Sequence, residues 1–515
     1  MSASAPVEIP GYYYDSEKKK YFKIEKSQTA PSSAQWSSES VKRRKVEVRV
    51  AQEASNRARL IKNHIKRSVL RHDIVNSGLF ARETGHQRNA ESGRGRAEDG
   101  DVAAAMWARE LTDKGQIAFA PSMTWNTYPH MPCFYVSGED SGTESAVAYA
   151  TLDEEMLVGK YVDTDINEKL INIPAGQRDP SRLHQEMIHC PQMSSIKYHQ
   201  PSHKLLLTSR EPGHGLALIV FSPPVDTDHN GARHWLLGGT DGYRKLLFRP
   251  SSNPHWYVHQ STPAPASSNL LCVVGTSNGI LRVRSDETLG WISTNDVPPS
   301  IDSTTKVDTG RRKRPGRRAR ARYGPWHPQE IFSQDFQIGN HNVLFAGGRQ
   351  PRLWISDLRS PAAEWSFVKH GSSIAHVRSI NPHQVVVAGL QNHMSIYDTR
   401  FFQSDKTNPN GLTISSPMLD FPDYRNEAHY HIGWDISTEL NLVASAQDNG
   451  TVKLFSLRSG RVLRSGSALE SLRAQNPIKA MMFQTLPGEK MPSLYVARGP
   501  LLRKFGCAPV GNFDE

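Results

Sequence analysis

Two short phrases place an acid and a base two residues apart at the end of an apolar run. Leu353-Trp354-Ile355-Ser356-Asp357-Leu358-Arg359 returns 41 residues later as Met394-Ser395-Ile396-Tyr397-Asp398-Thr399-Arg400. An Asp in this position can hydrogen-bond the backbone of a tight turn. The Arg is then a surface residue able to contact a partner, so the chemistry on offer is recognition rather than bond making. A second segment of concentrated charge contains Arg311, Arg312, Lys313, Arg314, Arg317 and Arg318. Residues 311–322 carry eight Lys/Arg and no acid, and without them the net charge of +11 falls to +3. Three functions fit it: a nuclear-import signal, which is the first choice, a non-specific phosphate-binding arm, or a solvated loop. Lys42-Arg43-Arg44-Lys45 is a second import candidate.

Nothing in the chain forms a catalytic set. The 21 histidines are dispersed, and His184 with His189-Cys190 lacks a second ligand pair at zinc spacing. Gly238-Gly239-Thr240-Asp241-Gly242 and Gly347-Gly348 lack the Lys-Ser/Thr of a phosphate loop, and no Gly-x-Ser-x-Gly elbow occurs. No enzyme activity, cofactor or metal is expected.

The elements that must hold the two Asp-x-Arg phrases are strands. Each phrase closes an apolar strand, preceded by a Gly turn and another apolar strand, Val343-Leu344-Phe345-Ala346-Gly347 or Val385-Val386-Val387-Ala388-Gly389. A recurrence of this length matches one four-stranded propeller blade, about 40–45 residues in WD repeats. Similar pairs of neighbouring strands, read as the b and c strands of a blade, occur at 134–136 with 146–150, 204–208 with 216–221, and 271–274 with 280–283. Two more lie at 442–445 with 452–455 and 494–497 with 501–505. Asn278-Gly279 and Asn449-Gly450 supply tight-turn signals between strands. Residues 235–239 and 245–248 form an eighth candidate; their first half is read as the outer strand of the second blade. The expectation is an all-β, seven-bladed WD-repeat β-propeller, with eight blades as the alternative. The C-terminus supplies no outer strand for the last blade, so N-terminal residues should complete it and remove an open edge.

The chain before residue 116 has a different character. Pro10-Gly11-Tyr12-Tyr13-Tyr14-Asp15 through Lys20-Tyr21-Phe22 is an aromatic patch with a basic centre, and 27–40 is Ser-rich. From Val41 the pattern is helical: Val46, Val50, Ala54, Ala58, Ile61, Ile65 and Val69 lie on one stripe, with basic residues opposite and Gly78 as a stop. A polar linker over 84–101 leads to a short Ala-rich helix around 103–111. The domains are therefore a disordered arm with the aromatic motif (1–40), a basic amphipathic helix, linker and short helix (41–115), and the propeller (116–506). A basic disordered insertion occupies about 300–323.

The chain resembles the cullin-4-associated substrate receptors, WD-repeat factors that dock on the damaged-DNA-binding adaptor. In that family Trp-Asp-x-Arg ends two successive repeats, and the Arg helps contact the adaptor. The matching positions are Asp357 and Arg359, then Asp398 and Arg400. Phe455-Ser456-Leu457-Arg458 keeps the Arg and loses the Asp, and Ser356 stands where Trp is expected, which favours Arg400 over Arg359. The Pro10–Phe22 motif is similar to the Pro-Gly-aromatic-Tyr start of factor 4 of that family. Receptors of this type also carry a helical segment before the propeller that inserts into the adaptor. Residues 42–78 match that place, and packing on the chain's own propeller is the alternative. The resemblance implies the substrate-recognition subunit of a cullin-4 RING ubiquitin ligase, with the adaptor and an unidentified protein substrate as partners. The alternative is a nuclear WD-repeat scaffold contacting RNA or chromatin non-specifically through 311–322.

Four widely spaced cysteines (Cys133, Cys190, Cys272, Cys507) argue against a disulfide framework and for the reducing nucleus or cytosol. No signal peptide or run long enough to span a bilayer is read from the sequence, so no membrane partner is expected.

Overall fold

Strands with both faces buried need apolar residues at successive positions rather than at alternate ones. Leu205–Leu207, Val385–Val387 and Leu442–Ala444 are such runs, each residue being fully buried. The computed structural model describes residues 12–15, 18–25, 36–47, 49–52, 101–120, 130–153, 156–165, 167–171, 186–189, 192–211, 215–229, 231–237, 242–248, 257–294, 330–360, 365–401, 403–404, 412–414 and 416–507. They belong to two units, Met1–Phe80 and Ala81–Glu515.

In the larger unit seven four-stranded antiparallel sheets follow one another as the blades of a β-propeller, each lettered a to d from the centre outwards. Blade 1 comprises Phe134–Val136, Ala146–Leu152, Met156–Val162 and Glu186–His189, and blade 2 Met193–His199, Lys204–Glu211, Gly215–Phe221 and Arg244–Phe248. Blade 3 is Val258–Pro263, Leu270–Thr276, Gly279–Arg284 and Leu289–Thr294. Blade 4 is Ile331–Gln337, Asn340–Gly348, Arg352–Asp357 and Ser366–Lys369, extended at its outer edge by Leu412–Ile414 and Gln403–Ser404. Blade 5 is Ile374–Asn381, Gln384–Gly389, Met394–Asp398 and Leu419–Asp420; blade 6 is Trp434–Ser437, Leu442–Ala446, Val452–Ser456 and Val462–Leu463. Blade 7 takes Met481–Gln484, Ser493–Arg498 and Leu501–Cys507 from the C-terminal end and Leu111–Ala118 from the N-terminal side as its outer strand.

The ring therefore closes as expected, with Leu111 opposite Cys507 and Ala118 opposite Leu501. A bulge between Asp113 and Gln116 places Gly115 at φ +92°, beside the Leu170 carbonyl of blade 1. Asp113 pairs with Arg503 across the seam. The helix Val102–Arg109 precedes the closing strand, buries Trp107 against Phe483, and accepts the Gly466 N–H on the Ala108 carbonyl at 2.8 Å.

Two strand assignments need correction. Residues 134–136 with 146–150 are strands a and b of blade 1, because the c strand lies further on at Met156–Val162. The outer strand of blade 2 is Arg244–Phe248, paired with Gly215–Phe221, and not residues 235–239. Trp235 instead ends a side hairpin, Val225–Thr227 with Arg233–Trp235. Its ring is fully buried among Tyr135, Tyr149, Tyr198 and His203, and the Ser145 hydroxyl accepts the Trp235 backbone N–H and donates to its backbone carbonyl. Its apolar character serves inter-blade packing, which a strand pattern cannot distinguish from an edge strand.

The smaller unit contains a two-stranded hairpin, Tyr12–Asp15 with Lys20–Lys23. Residues 38–47 and 49–52 are helical, where the stripe begins, and Val46 and Val50 on it are exposed. The rest of the expected helix and the basic insertion lie outside the described residues.

Candidate functional site

Both Asp-x-Arg phrases end a c strand, and the structure gives them the same local geometry. Asp357 accepts the Arg359 backbone N–H at 3.0 Å, closing a turn, while Arg359 returns its side chain: Nε to Oδ1 at 2.9 Å and Nη2 to Oδ2 at 2.6 Å. Asp398 and Arg400 repeat this at 3.0, 3.0 and 2.6 Å. The bidentate pairing is favoured because the planar guanidinium matches two carboxylate oxygens. It holds the Asp357 carboxyl down to about 2 and keeps that of Asp398 below the usual range, so both brackets stay ionised. The acids sit low and the bases stand up: the Asp398 side chain is 3% exposed and that of Arg400 57%.

The missing Trp at Ser356 does not disturb the first bracket. Ser356 is buried and donates its hydroxyl to the Leu344 carbonyl at 3.0 Å. In the second, Tyr397 is buried and its hydroxyl meets His370 Nδ1 at 3.0 Å. Because the brackets occupy equivalent places in neighbouring blades, they share one face of the ring. Leu358 N–H bonds Asn342 and Thr399 N–H bonds His383, which fixes each bracket beside the start of its own b strand. On the same side the a–b turn of blade 4 leans on that of blade 5, through Gln337 Nε2 to the Pro382 carbonyl at 2.6 Å and Ile338 N–H to Ser379. Apolar side chains stand open there: Phe401 is 66% exposed, Met418 52% and Ile338 44%. The Arg400 guanidinium lies 5.7 Å from the Phe401 ring centre. This face offers two positioned cations with apolar neighbours, a composition that suits protein contact.

Blade 6 solves the loss of its acid differently. Ser456 takes the place of Asp and accepts the Arg458 N–H at 3.0 Å, while the carboxylate comes from Asp101, which receives the hydroxyls of Ser456 and Ser459. Asp101 immediately precedes the helix Val102–Arg109 but makes no side-chain cap bond to it. Sequence reading finds in Asp101 only the end of a polar linker; its role is set by a residue 355 positions away.

A second group of polar residues lines the ring's centre. Asp335 accepts the Ser379 N–H of the next blade at 2.8 Å, and Asp435 accepts Phe483 N–H at 2.8 Å and Arg378 at 3.3 Å. Burial lowers the Lys197 amine there, helped by Arg378. At the opposite mouth, Glu330 bonds Arg349 and lies 3.3 Å from His259 Nε2; burial pushes its carboxyl up, but these partners outweigh it and hold it down to about 2. Phe332 and Tyr430 stack 4.9 Å apart beside them. These groups stitch inner strands and fill the mouth; none is paired as nucleophile and base.

Three histidines in this part of the ring carry a testable consequence. Burial, with nearby positive charge, lowers His376 and His431 to about 3 and His370 to about 4. The unfolded chain then binds protons near pH 6.5 that the folded chain refuses, so stability should fall as pH drops from about 6.5 towards 4. His376 stacks on Trp434 at 5.1 Å and 8°. His376→Phe keeps the stack and removes the titration; its loss in melting temperature between pH 7.5 and 5 should be smaller than the wild-type loss. An equal loss would exclude His376 as a contributor.

Arg311, Arg312, Lys313, Arg314, Arg317 and Arg318 lie outside the described residues, as does Cys190. Lys42–Lys45 are exposed on the helical segment of the smaller unit. Cys133 and Cys272 are buried and Cys507 is half-buried. Among the described residues no group of three or more His, Cys, Asp or Glu could hold a metal ion, and no helix is long and apolar enough to cross a membrane. A seven-bladed propeller fits a protein-interaction scaffold. Compared with protein-family models and with curated proteins, the chain finds no match in either.

Proposed function

We propose that this protein is the substrate-recognition subunit of a cullin-4 RING ubiquitin ligase, acting in the nucleus or cytoplasm. It docks on the damaged-DNA-binding adaptor through Arg359 and Arg400, held by Asp357 and Asp398. Other propeller loops hold a protein substrate close to a ubiquitin-charged enzyme. The protein makes and breaks no bonds itself; it raises effective concentration. The observation that carries this reading is the pair of brackets of one geometry on neighbouring blades and one face. The exposed Phe401, Met418 and Ile338 add apolar contact area beside them.

Charge reversal tests it. Adaptor co-purification with Arg359→Glu/Arg400→Glu should fall at least about tenfold below wild type, since like-charge placement at an interface costs several kcal/mol. Each reversal also strips an Asp of its guanidinium partner and should lower the melting temperature, so recovery is compared where circular dichroism shows both proteins folded. Equal recovery from both proteins would remove the docking role, and no recovery from either would favour a scaffold that never meets a ligase.

A further inference from the structure

The hairpin of the smaller unit has two unlike faces. In its register Tyr13 lies opposite Phe22, whereas Tyr12 lies opposite Lys23 and Tyr14 opposite Tyr21. Side chains alternate across a strand, so these sets point to opposite sides. The first side is covered: Phe22 stacks on Trp36 at 5.1 Å and 15°, and Tyr13 receives a hydrogen bond from Arg44 of the helical segment, whose guanidinium lies 5.5 Å from its ring. The second side is partly exposed. Tyr12 is 47% exposed and Tyr21 39%, and the Tyr14 ring lies 4.9 Å from that of Tyr21. Three tyrosine rings thus form a small platform on a sheet whose back is fixed.

The charge around the platform is mainly positive. Lys18, Lys19, Lys20 and Lys23 are exposed on the hairpin, while Asp15, the acid within its strands, is buried and accepts the Lys18 N–H. Over the described residues of 12–52, nine Lys/Arg face four acids. Flat aromatic faces surrounded by cations complement a polyanion that carries its own flat rings. We infer that Tyr12, Tyr14 and Tyr21 are a stacking platform for single-stranded nucleic acid, with Lys19 and Lys23 contacting its phosphates. This site is separate from the basic run at 311–322 and independent of adaptor docking. A proline-rich peptide also docks on aromatic grooves, but it gives the lysines nothing to neutralise.

The test is fluorescence anisotropy with the full chain lacking only 311–322, using labelled oligo(dT) and oligo(U) of about 20 nucleotides and a polyproline peptide. Both single strands should bind, with oligo(U) favoured if the 2′-hydroxyl is also read. Tyr12→Ala/Tyr21→Ala should weaken binding about tenfold or more, and Tyr12→Phe/Tyr21→Phe should stay within about threefold of the parent, because stacking survives loss of the hydroxyl. Lys19→Glu/Lys23→Glu changes only exposed side chains and should weaken binding about tenfold or more. Unchanged affinity in either the alanine or the glutamate variant would overturn the inference. So would tyrosine-dependent binding of the polyproline peptide in place of the oligonucleotides.

Discussion

A chain that begins at residue 119 should fail to form the ring, whereas one that begins at residue 101 should melt as a single folded species. The shorter chain lacks Leu111–Ala118 and leaves the edge of Leu501–Cys507 without its partner. The burial of Leu111 and Ile117, 2% and 5% exposed in the full chain, is lost with them, at about 1.5–3 kcal/mol each. The Asp113–Arg503 pair and six backbone pairings go with them. Stabilities of about 5–15 kcal/mol cannot absorb a loss of this size, and the exposed edge would invite pairing between chains. Size-exclusion chromatography and circular dichroism give the readout. A monomeric, cooperatively melting chain from 119 would show that blade 7 stands without its outer strand.

The second large effect is expected at Lys504, on the c strand of the same blade. Its side chain is fully buried, its Nζ donates to Glu489 and, at 2.7 Å, to the Glu168 carbonyl of the blade 1 loop, and Glu489 is 4% exposed. Lys114 of the closing strand reaches the same loop, at 2.9 Å from the Asn167 carbonyl. Lys504→Met strands the Glu489 carboxylate without its cation and should cost about 3–5 kcal/mol in urea unfolding. Lys504→Met/Glu489→Leu removes both charges and should recover most of that loss, since an apolar pair of similar size often replaces a buried ion pair without penalty. A double variant as unstable as the sum of the two single ones would mean that the pair contributes no coupling.

These effects concentrate where blades meet, and that is also where the sequence is hardest to read. The b strands are sandwiched between neighbouring blades, so runs such as Leu205–Leu207 and Val385–Val387 are apolar at every position and stand out. The a strands mix core residues with polar ones such as Ser333, Asp335, His376 and Arg378 that face the ring's centre or the next blade. The d strands are short, some of only two residues. Neither class carries a consistent signal: Phe134–Val136 is apolar throughout and reads as a b strand, and Arg244–Phe248 passes as a partner to Trp235.

What the sequence determined by itself is the repeat: spacing, turn residues and buried runs specify a propeller of seven or eight blades with a borrowed last strand, because each blade buries itself only against its neighbours; the pairing of Arg244–Phe248 with Gly215–Phe221 decided seven. It also places Asp357–Arg359 and Asp398–Arg400, since each bracket is made within three residues. The tertiary structure alone decided which residues complete other sites. Asp101 serves Ser456, Ser145 holds Trp235, and Glu489 and Glu168 hold Lys504, over separations of 355, 90, 15 and 336 residues. In a closed ring the first and last blades touch, so partners for a buried charge or hydroxyl come from whichever segment the closure brings alongside. Local pattern holds no record of that meeting.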